Sequence, residues 1–92
     1  MARTTGTVSL VELIDKGLLM SGERLVIYRR SALPIQGVLQ PDGSIRVGNL
    51  RCATPSKAAK LALNVRAVDG WIRWRVPRLD DKALAEIRGE LR

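Results

Sequence analysis

The sequence predicts an α+β fold: a small antiparallel sheet of about four to five strands with three short helices, in the order helix, β-meander, helix, strand, helix. The chain has 92 residues, enough for the core of one domain. Runs rich in β-branched residues alternate with turn signals in its first half, and an alanine-rich segment that opens with proline follows. Residues 1–7 have no periodic apolar pattern, so we expect a flexible lead there and one domain over residues 8–92.

The first predicted helix covers residues 10–16. Ser9 and Glu12 have the spacing of a capping box, and apolar side chains recur three and four positions after Leu10. Gly17 can close the helix because glycine tolerates the left-handed conformation of a helix end.

Four short strands are expected to follow as a meander. The Asp-Gly pair at residues 42–43 and the Gly-Asn pair at residues 48–49 are typical of tight turns between antiparallel strands. Pro34 interrupts the chain between the first two strands. The predicted strands are residues 24–30, 35–40, 45–47 and 50–53.

The second helix has a well-defined start and end. Thr54 offers a capping hydroxyl, Pro55 stands where its missing N–H does no harm, and Asn64 can end the helix. A strand over residues 71–76 is expected next. Its alternation would put Trp71, Arg73 and Arg75 on one face and Ile72, Trp74 and Val76 on the other.

The last helix is expected near the end of the chain. Asp80 or Asp81 could cap it, since acidic residues suit a helix start. Its apolar stripe would consist of Leu84, Ile87 and Leu91.

Positive charge is concentrated in the middle of the chain. Sixteen Lys and Arg stand against nine Asp and Glu, a net charge of +7, and twelve of the sixteen are arginine. Residues 24–78 hold eleven of these cations and two acids. Arginine suits forked contacts with phosphate and guanine, so the pattern favours a nucleic acid as partner. The partner could instead be an anionic lipid or an acidic protein, and the basic charge could also serve solubility alone.

Several function classes are excluded or disfavoured. The chain has no histidine and one cysteine, Cys52, so a His/Cys zinc site, a serine triad and an intramolecular disulfide are impossible. No glycine-rich phosphate loop is present. We therefore expect no enzyme, catalytic residue, cofactor or metal, and an inert Cys52. No stretch approaches the about 18 apolar residues of a membrane span and no signal pattern is visible, which predicts a cytoplasmic protein, nucleoid-associated in a bacterium.

Three features could contact nucleic acid. Arginines that alternate with apolar residues should face solvent, the helix start at Thr54 could hold a phosphate, and Trp71 could stack on a base. The helix start is equally explained as a plain N-cap. Both Trp71 and Trp74 could instead be core residues, Trp74 more readily, and Tyr28 fits the core or a sheet edge before a contact.

The order of motifs resembles that of the RAMA domain, the restriction enzyme and adenine methylase associated domain. The resemblance runs from Val8 to Leu91, and its most specific parts are Thr-Pro-Ser-Lys-Ala-Ala at residues 54–59 and Gly-Trp-Ile-Arg-Trp at residues 70–74. It implies a small α+β DNA-binding module, attached to restriction-modification or chromatin-associated proteins, that recognises DNA methylated on adenine. The family's motifs fall on Thr54, Pro55, Ser56, Ala58, Ala59, Gly70, Trp71 and Trp74.

Our hypothesis from the sequence is therefore a non-catalytic module for double-stranded DNA. The alternative is a protein-interaction or oligomerisation module with a basic surface, and RNA is a weaker third choice because few aromatic residues are present. The oligomeric state is left open. The candidate DNA-binding residues are Arg29, Arg30, Arg46, Arg51, Thr54, Ser56, Lys57, Lys60, Arg66, Trp71, Arg73 and Arg75.

Overall fold

A computed structural model describes residues 9–90, which form six short strands and four short helices. The class predicted from the sequence, α+β with an antiparallel sheet, is confirmed. In chain order the elements are α1 (Leu10–Asp15), β1 (Arg24–Ile27), β2 (Ile35–Leu39), β3 (Ile45–Val47), β4 (Leu50–Cys52), α2 (Pro55–Leu63), α3 (Gly70–Arg73), β5 (Arg75–Val76), a 3₁₀ turn (Pro77–Leu79), β6 (Lys82–Ala83) and α4 (Leu84–Gly89).

The strands form one antiparallel sheet with the spatial order β4-β3-β2-β1-β5-β6. The first four strands are the predicted meander, and they end close to the predicted boundaries except β1. That strand stops at Ile27, so Arg29 and Arg30 lie in the loop before β2 instead of in the strand. The turn at Gly43 has a φ of +87°, the conformation for which glycine was expected there.

The two faces of the sheet differ in what covers them. Side chains of one face, such as Leu25, Leu39 and Ile45, are fully buried in a core that includes Leu13 of α1 and Ala58 of α2. We call this the inner face. The opposite, outer face carries the exposed side chains of Arg24, Gln36, Arg46 and Arg51 beside the buried Val26, because the pleat sends alternate side chains to opposite sides.

The ends of the first two helices follow their sequence signals. The Glu12 carboxylate accepts a hydrogen bond from the backbone N–H of Ser9 at 3.4 Å, and Gly17 has a φ of +79° after α1. Asn64 has a φ of +56° after α2. Val8, Leu91 and the lead predicted over residues 1–7 lie outside the described residues.

The strand predicted over residues 71–76 is wrong. Residues 70–73 form the helical turn α3, and only Arg75 and Val76 join the sheet. The Asp69 side chain accepts a hydrogen bond from the N–H of Trp71 at 3.0 Å and so starts a helical turn. Consequently Trp71, Arg73 and Arg75 do not share a strand face, and Ile72 is exposed while Trp74 is fully buried.

The expected cap of the last helix is also wrong. Asp80 and Asp81 both have a φ of +59° in the turn between the 3₁₀ segment and β6. The helix begins at Leu84, where the Glu86 carboxylate accepts from the N–H of Ala83 at 2.8 Å. Leu84 and Ile87 are buried as the apolar stripe predicted.

No helix among residues 9–90 is long and apolar enough to cross a membrane.

Candidate nucleic-acid interface

The starts of α2 and α3 are locked together by backbone and side-chain hydrogen bonds. The Ser56 hydroxyl accepts from the N–H of Gly70 at 3.1 Å, and the indole N–H of Trp74 donates to the carbonyl of Pro55 at 3.0 Å. A Cβ atom on Gly70 would overlap the Pro55 carbonyl, so the two helices approach at a point where only glycine fits. This contact fixes the position of Trp71, the next residue along the chain.

The predicted phosphate site at the start of α2 is engaged within the protein. The Thr54 hydroxyl accepts from the N–H of Lys57 at 3.1 Å, and the Ser56 hydroxyl is held by Gly70. Lys57 and Lys60 are exposed on α2, in the helix layer, and exposed Arg66 follows the helix. Lys57 and Lys60 therefore lie on the side of the molecule away from the outer face of the sheet. Phosphate binding at Thr54 and Ser56 stays a prediction.

Three arginines form a row across the outer face. Strand register places Arg24 of β1 opposite Val38 of β2, Val38 opposite Arg46 of β3, and Arg46 opposite Arg51 of β4. We call Arg24, Arg46 and Arg51 the arginine row. Arg24 and Arg46 make no ion pair within residues 9–90. Arg46 and Arg51 stand directly opposite each other, and like charges in that position oppose folding. The row is therefore a concentration of charge that the fold itself does not require.

Arg51, at the β4 end of the row, has one acidic neighbour. Its Nη1 lies 3.6 Å from a carboxylate oxygen of Asp42, with both side chains more than half exposed. The Ser44 hydroxyl, which donates to the other carboxylate oxygen at 2.6 Å, holds the pKa of Asp42 below its usual value. Asp42 is therefore charged at neutral pH, and an exposed pair of this kind contributes little to stability.

A cavity of about 190 Å³ lies beside Asp42, and Trp71 forms part of its wall. The indole is half-buried, and the Arg88 guanidinium lies 4.5 Å from the centroid of its ring. Arg88 does not line the cavity. The remaining walls are mostly apolar, with the hydroxyls of Ser9 and Thr54 as the other polar groups. The lining residues are Ser9, Leu10, Val11, Asp42, Gly43, Ala53, Thr54, Pro55 and Trp71.

A second, wider cavity of about 410 Å³ lies beyond the opposite end of the row, where Arg75 of β5 stands opposite Val26 of β1. Its walls are Tyr28, Ile72, Arg73, Arg75 and Asp81. Tyr28 and Ile72 are about half exposed, so their apolar surface is open to solvent.

The remaining candidate cations lie apart from both cavities. The Arg29 guanidinium donates to the carbonyl of Leu33 within the β1–β2 loop, and Arg30 is exposed in the same loop.

Cys52 is a half-buried free thiol. Residues 9–90 contain no cluster of side chains that could hold a metal ion.

The structure thus divides the sequence-derived candidates into separate groups. Arg46 and Arg51 share the row, Arg73 and Arg75 share the wide cavity, and Thr54 and Trp71 share the small one. Sequence reasoning missed Arg24 in the row, although its spacing from Val26 placed both on one strand face. It placed Tyr28 in the core or at an edge before any contact, whereas its ring lines the wide cavity.

Comparison with known proteins gives one family match. The family model described as Restriction Enzyme Adenine Methylase Associated matches residues 1–92, the whole chain. A search of curated proteins finds no match. The match covers the α2 start and the Gly-Trp segment that the hydrogen bonds above join.

Proposed function

The chain belongs to the restriction enzyme adenine methylase associated (RAMA) family, and we propose that it is a non-catalytic module that binds double-stranded DNA in a restriction-modification or chromatin context. The observation that carries the proposal is the arginine row. Arginine side chains in a line on an exposed sheet face suit the regular phosphates of a nucleic acid backbone.

The dimensions of the row match that task. Arg24 and Arg51 are three strand spacings apart, about 14 Å, and one DNA strand advances by about four phosphates over that length of the helix axis. Arg46 stands between them with no acid paired to it within residues 9–90. A phosphate near Arg46 would relieve the repulsion between Arg46 and Arg51 and release counterions from the DNA.

Recognition of methylated adenine is the finer part of the proposal, and the small cavity beside Trp71 supports it. The cavity lies at the β4 end of the row, where Asp42 both lines it and approaches Arg51. Its walls combine an aromatic ring with the apolar side chains of Leu10 and Pro55. A methyl group on the adenine amine would gain apolar contact there, at about 0.8 kcal/mol for a fully buried methylene-sized group.

The salt dependence of DNA affinity tests the role of the row. We expect Arg46→Ala to reduce the magnitude of the slope of log affinity against log salt by about 0.9, because one phosphate contact is lost. Lys60→Ala is the matched control, since it removes the same charge from the helix layer. Fluorescence anisotropy over a series of salt concentrations gives both slopes. An unchanged slope in Arg46→Ala would show that another face binds DNA.

Paired duplexes test the methyl recognition. The two DNAs differ only by a methyl group on one adenine amine, and each is titrated at two salt concentrations. Tighter binding to the methylated duplex that Trp71→Leu abolishes is the expected result. Equal affinity would leave a general DNA-binding module, and no affinity for either duplex would favour the protein-interaction alternative.

A further inference from the structure

The wide cavity next to Tyr28 has the volume of a small-molecule site and a mixed lining of aromatic, aliphatic and charged side chains. Its volume of about 410 Å³ lies within the roughly 300–1,000 Å³ of pockets that hold such ligands. An aromatic ring and an exposed aliphatic side chain, Tyr28 and Ile72, stand beside two guanidinium groups. A ligand that fits these walls has a flat apolar part and a negative charge, as a nucleotide has.

Asp81 orients two of the walls. Its carboxylate accepts a hydrogen bond from the Tyr28 hydroxyl at 2.7 Å, and its backbone carbonyl accepts from Nη1 of Arg75 at 3.3 Å. The same nitrogen of Arg75 lies 3.7 Å from the Glu86 carboxylate. The hydrogen bond to Asp81 raises the pKa of Tyr28 above its usual value, so the phenol keeps its proton at neutral pH. The ring and the guanidinium are thus held in place before a ligand arrives.

Arg73 is the lining residue whose guanidinium is available to pair with an anion. It is exposed at the end of α3 and makes no ion pair or side-chain hydrogen bond within residues 9–90. The positive charge of Arg75 is already partly balanced by Glu86. The carboxylate of Asp81 is occupied by its hydrogen bond from the Tyr28 hydroxyl. A phosphate in the cavity would therefore pair with Arg73 first.

The cavity continues the arginine row. Val26, the partner of Arg75, lies two residues after Arg24 on the same strand face. A DNA strand that follows the row from β4 towards β1 would reach the cavity next. Bases inside a duplex are stacked and cannot present a ring to Tyr28, whereas an unpaired base can leave the stack at a lower cost.

We infer that this cavity receives one unpaired nucleotide of the bound DNA, with its base against Tyr28 and its phosphate on Arg73. The inference rests on the proposed function, since the row has to hold the part of the strand that leads into the cavity. Stacking of a base on an aromatic side chain is strong enough to give a preference of about tenfold for DNA that offers one.

The test compares a fully paired duplex with the same duplex carrying one extra, unpaired adenine. We expect wild-type protein to bind the bulged duplex about tenfold more tightly, and Tyr28→Leu to bring this ratio to about one. Tyr28→Phe keeps the ring and should keep most of the preference. Arg46→Ala should weaken both affinities and leave the ratio unchanged, because it acts on the row alone.

Arg73→Gln guards the test against a folding defect in Tyr28→Leu, since Arg73 is exposed and its replacement breaks no ion pair or side-chain hydrogen bond within residues 9–90. We expect it to lower the ratio as well. Equal affinity of the wild-type protein for the two DNAs overturns the inference and leaves DNA binding intact, whereas no binding to either overturns the proposed function. Deoxyadenosine monophosphate is titrated in parallel. If it binds in a Tyr28-dependent manner and the protein shows no preference for the bulged duplex, the ligand is a free nucleotide, and the inference that it belongs to bound DNA is overturned.

Discussion

Two glycines lie at close contacts inside the fold, where an added side chain would be crowded. A Cβ on Gly37 in β2 would approach the ring of Trp74 at 3.0 Å, so this glycine makes the space in which the buried indole lies. A Cβ on Gly70 would overlap the backbone of Pro55, which is a harder obstacle because it belongs to a helix. The Trp74 indole bridges both places, since it packs on Gly37 and donates to Pro55. The Gly-Trp segment that characterises the sequence therefore has a structural role in joining α2, α3 and the sheet.

Replacement of Gly70 by alanine tests this role. Because the new methyl group meets the carbonyl of Pro55, α2 and α3 would have to separate, and we expect a loss of about 3 kcal/mol in the free energy of unfolding. Gly89→Ala is the control, as a Cβ there meets nothing within 4 Å and the residue lies in α4. That change should be neutral or add up to about 1 kcal/mol. Urea denaturation measures both, and similar midpoints for the two variants would contradict the close packing at Gly70.

At the scale of elements, the sequence predicted α2 from its local signals and failed for α3, where tertiary contacts add to the local cap that Asp69 supplies. The helix α2 was predictable because Thr54, Pro55 and Asn64 mark its ends within the segment itself. The helix α3 was not, since alternation in residues 71–76 also suits a strand. What excludes the strand is the contact of Gly70 and Trp74 with residues of a helix start 14 and 19 positions earlier. The alternation itself could not show that contact.

The contact between α2 and α3 leads to a prediction about Ser56. Ser56→Ala leaves the buried N–H of Gly70 without its partner, so we expect a loss of about 1–2 kcal/mol in the free energy of unfolding. DNA affinity, measured where the variant is fully folded, should be unchanged. Ser31→Ala, in the exposed β1–β2 loop, controls for the loss of a hydroxyl. A Ser56 variant with full stability and reduced DNA affinity would instead assign the hydroxyl to phosphate binding, as the sequence had suggested.

For the whole molecule, the charge distribution was predictable but the site was not. Counting Lys and Arg located the positive charge in residues 24–78, and alternation placed Arg46 on a solvent-facing strand surface. Which cations lie in one line depends on strand register, which brings Arg24, Arg46 and Arg51 together from three strands. The two cavities depend on residues from several elements each, so no single segment of the sequence contained their pattern.

The same charge has a cost for folding, and this gives the last prediction. Arg46 and Arg51 face each other on adjacent strands of a protein with a net charge of +7, so repulsion opposes the folded state most at low salt. We expect the free energy of unfolding to rise by about 1 kcal/mol between 10 mM and 300 mM salt, as the screening length falls from about 30 Å to less than 10 Å.

Arg46→Gln separates the cross-strand contact from the net charge. It should stabilise the protein at 10 mM salt by about 0.5 kcal/mol and reduce the rise with salt, because the opposed pair is gone. Lys60→Gln lowers the net charge equally but removes no opposed pair, so it should have a smaller effect. Urea denaturation at the two salt concentrations measures both variants, and equal effects would assign the repulsion to total charge alone. A variant that is more stable and binds DNA less would show that the arginine row trades stability for affinity.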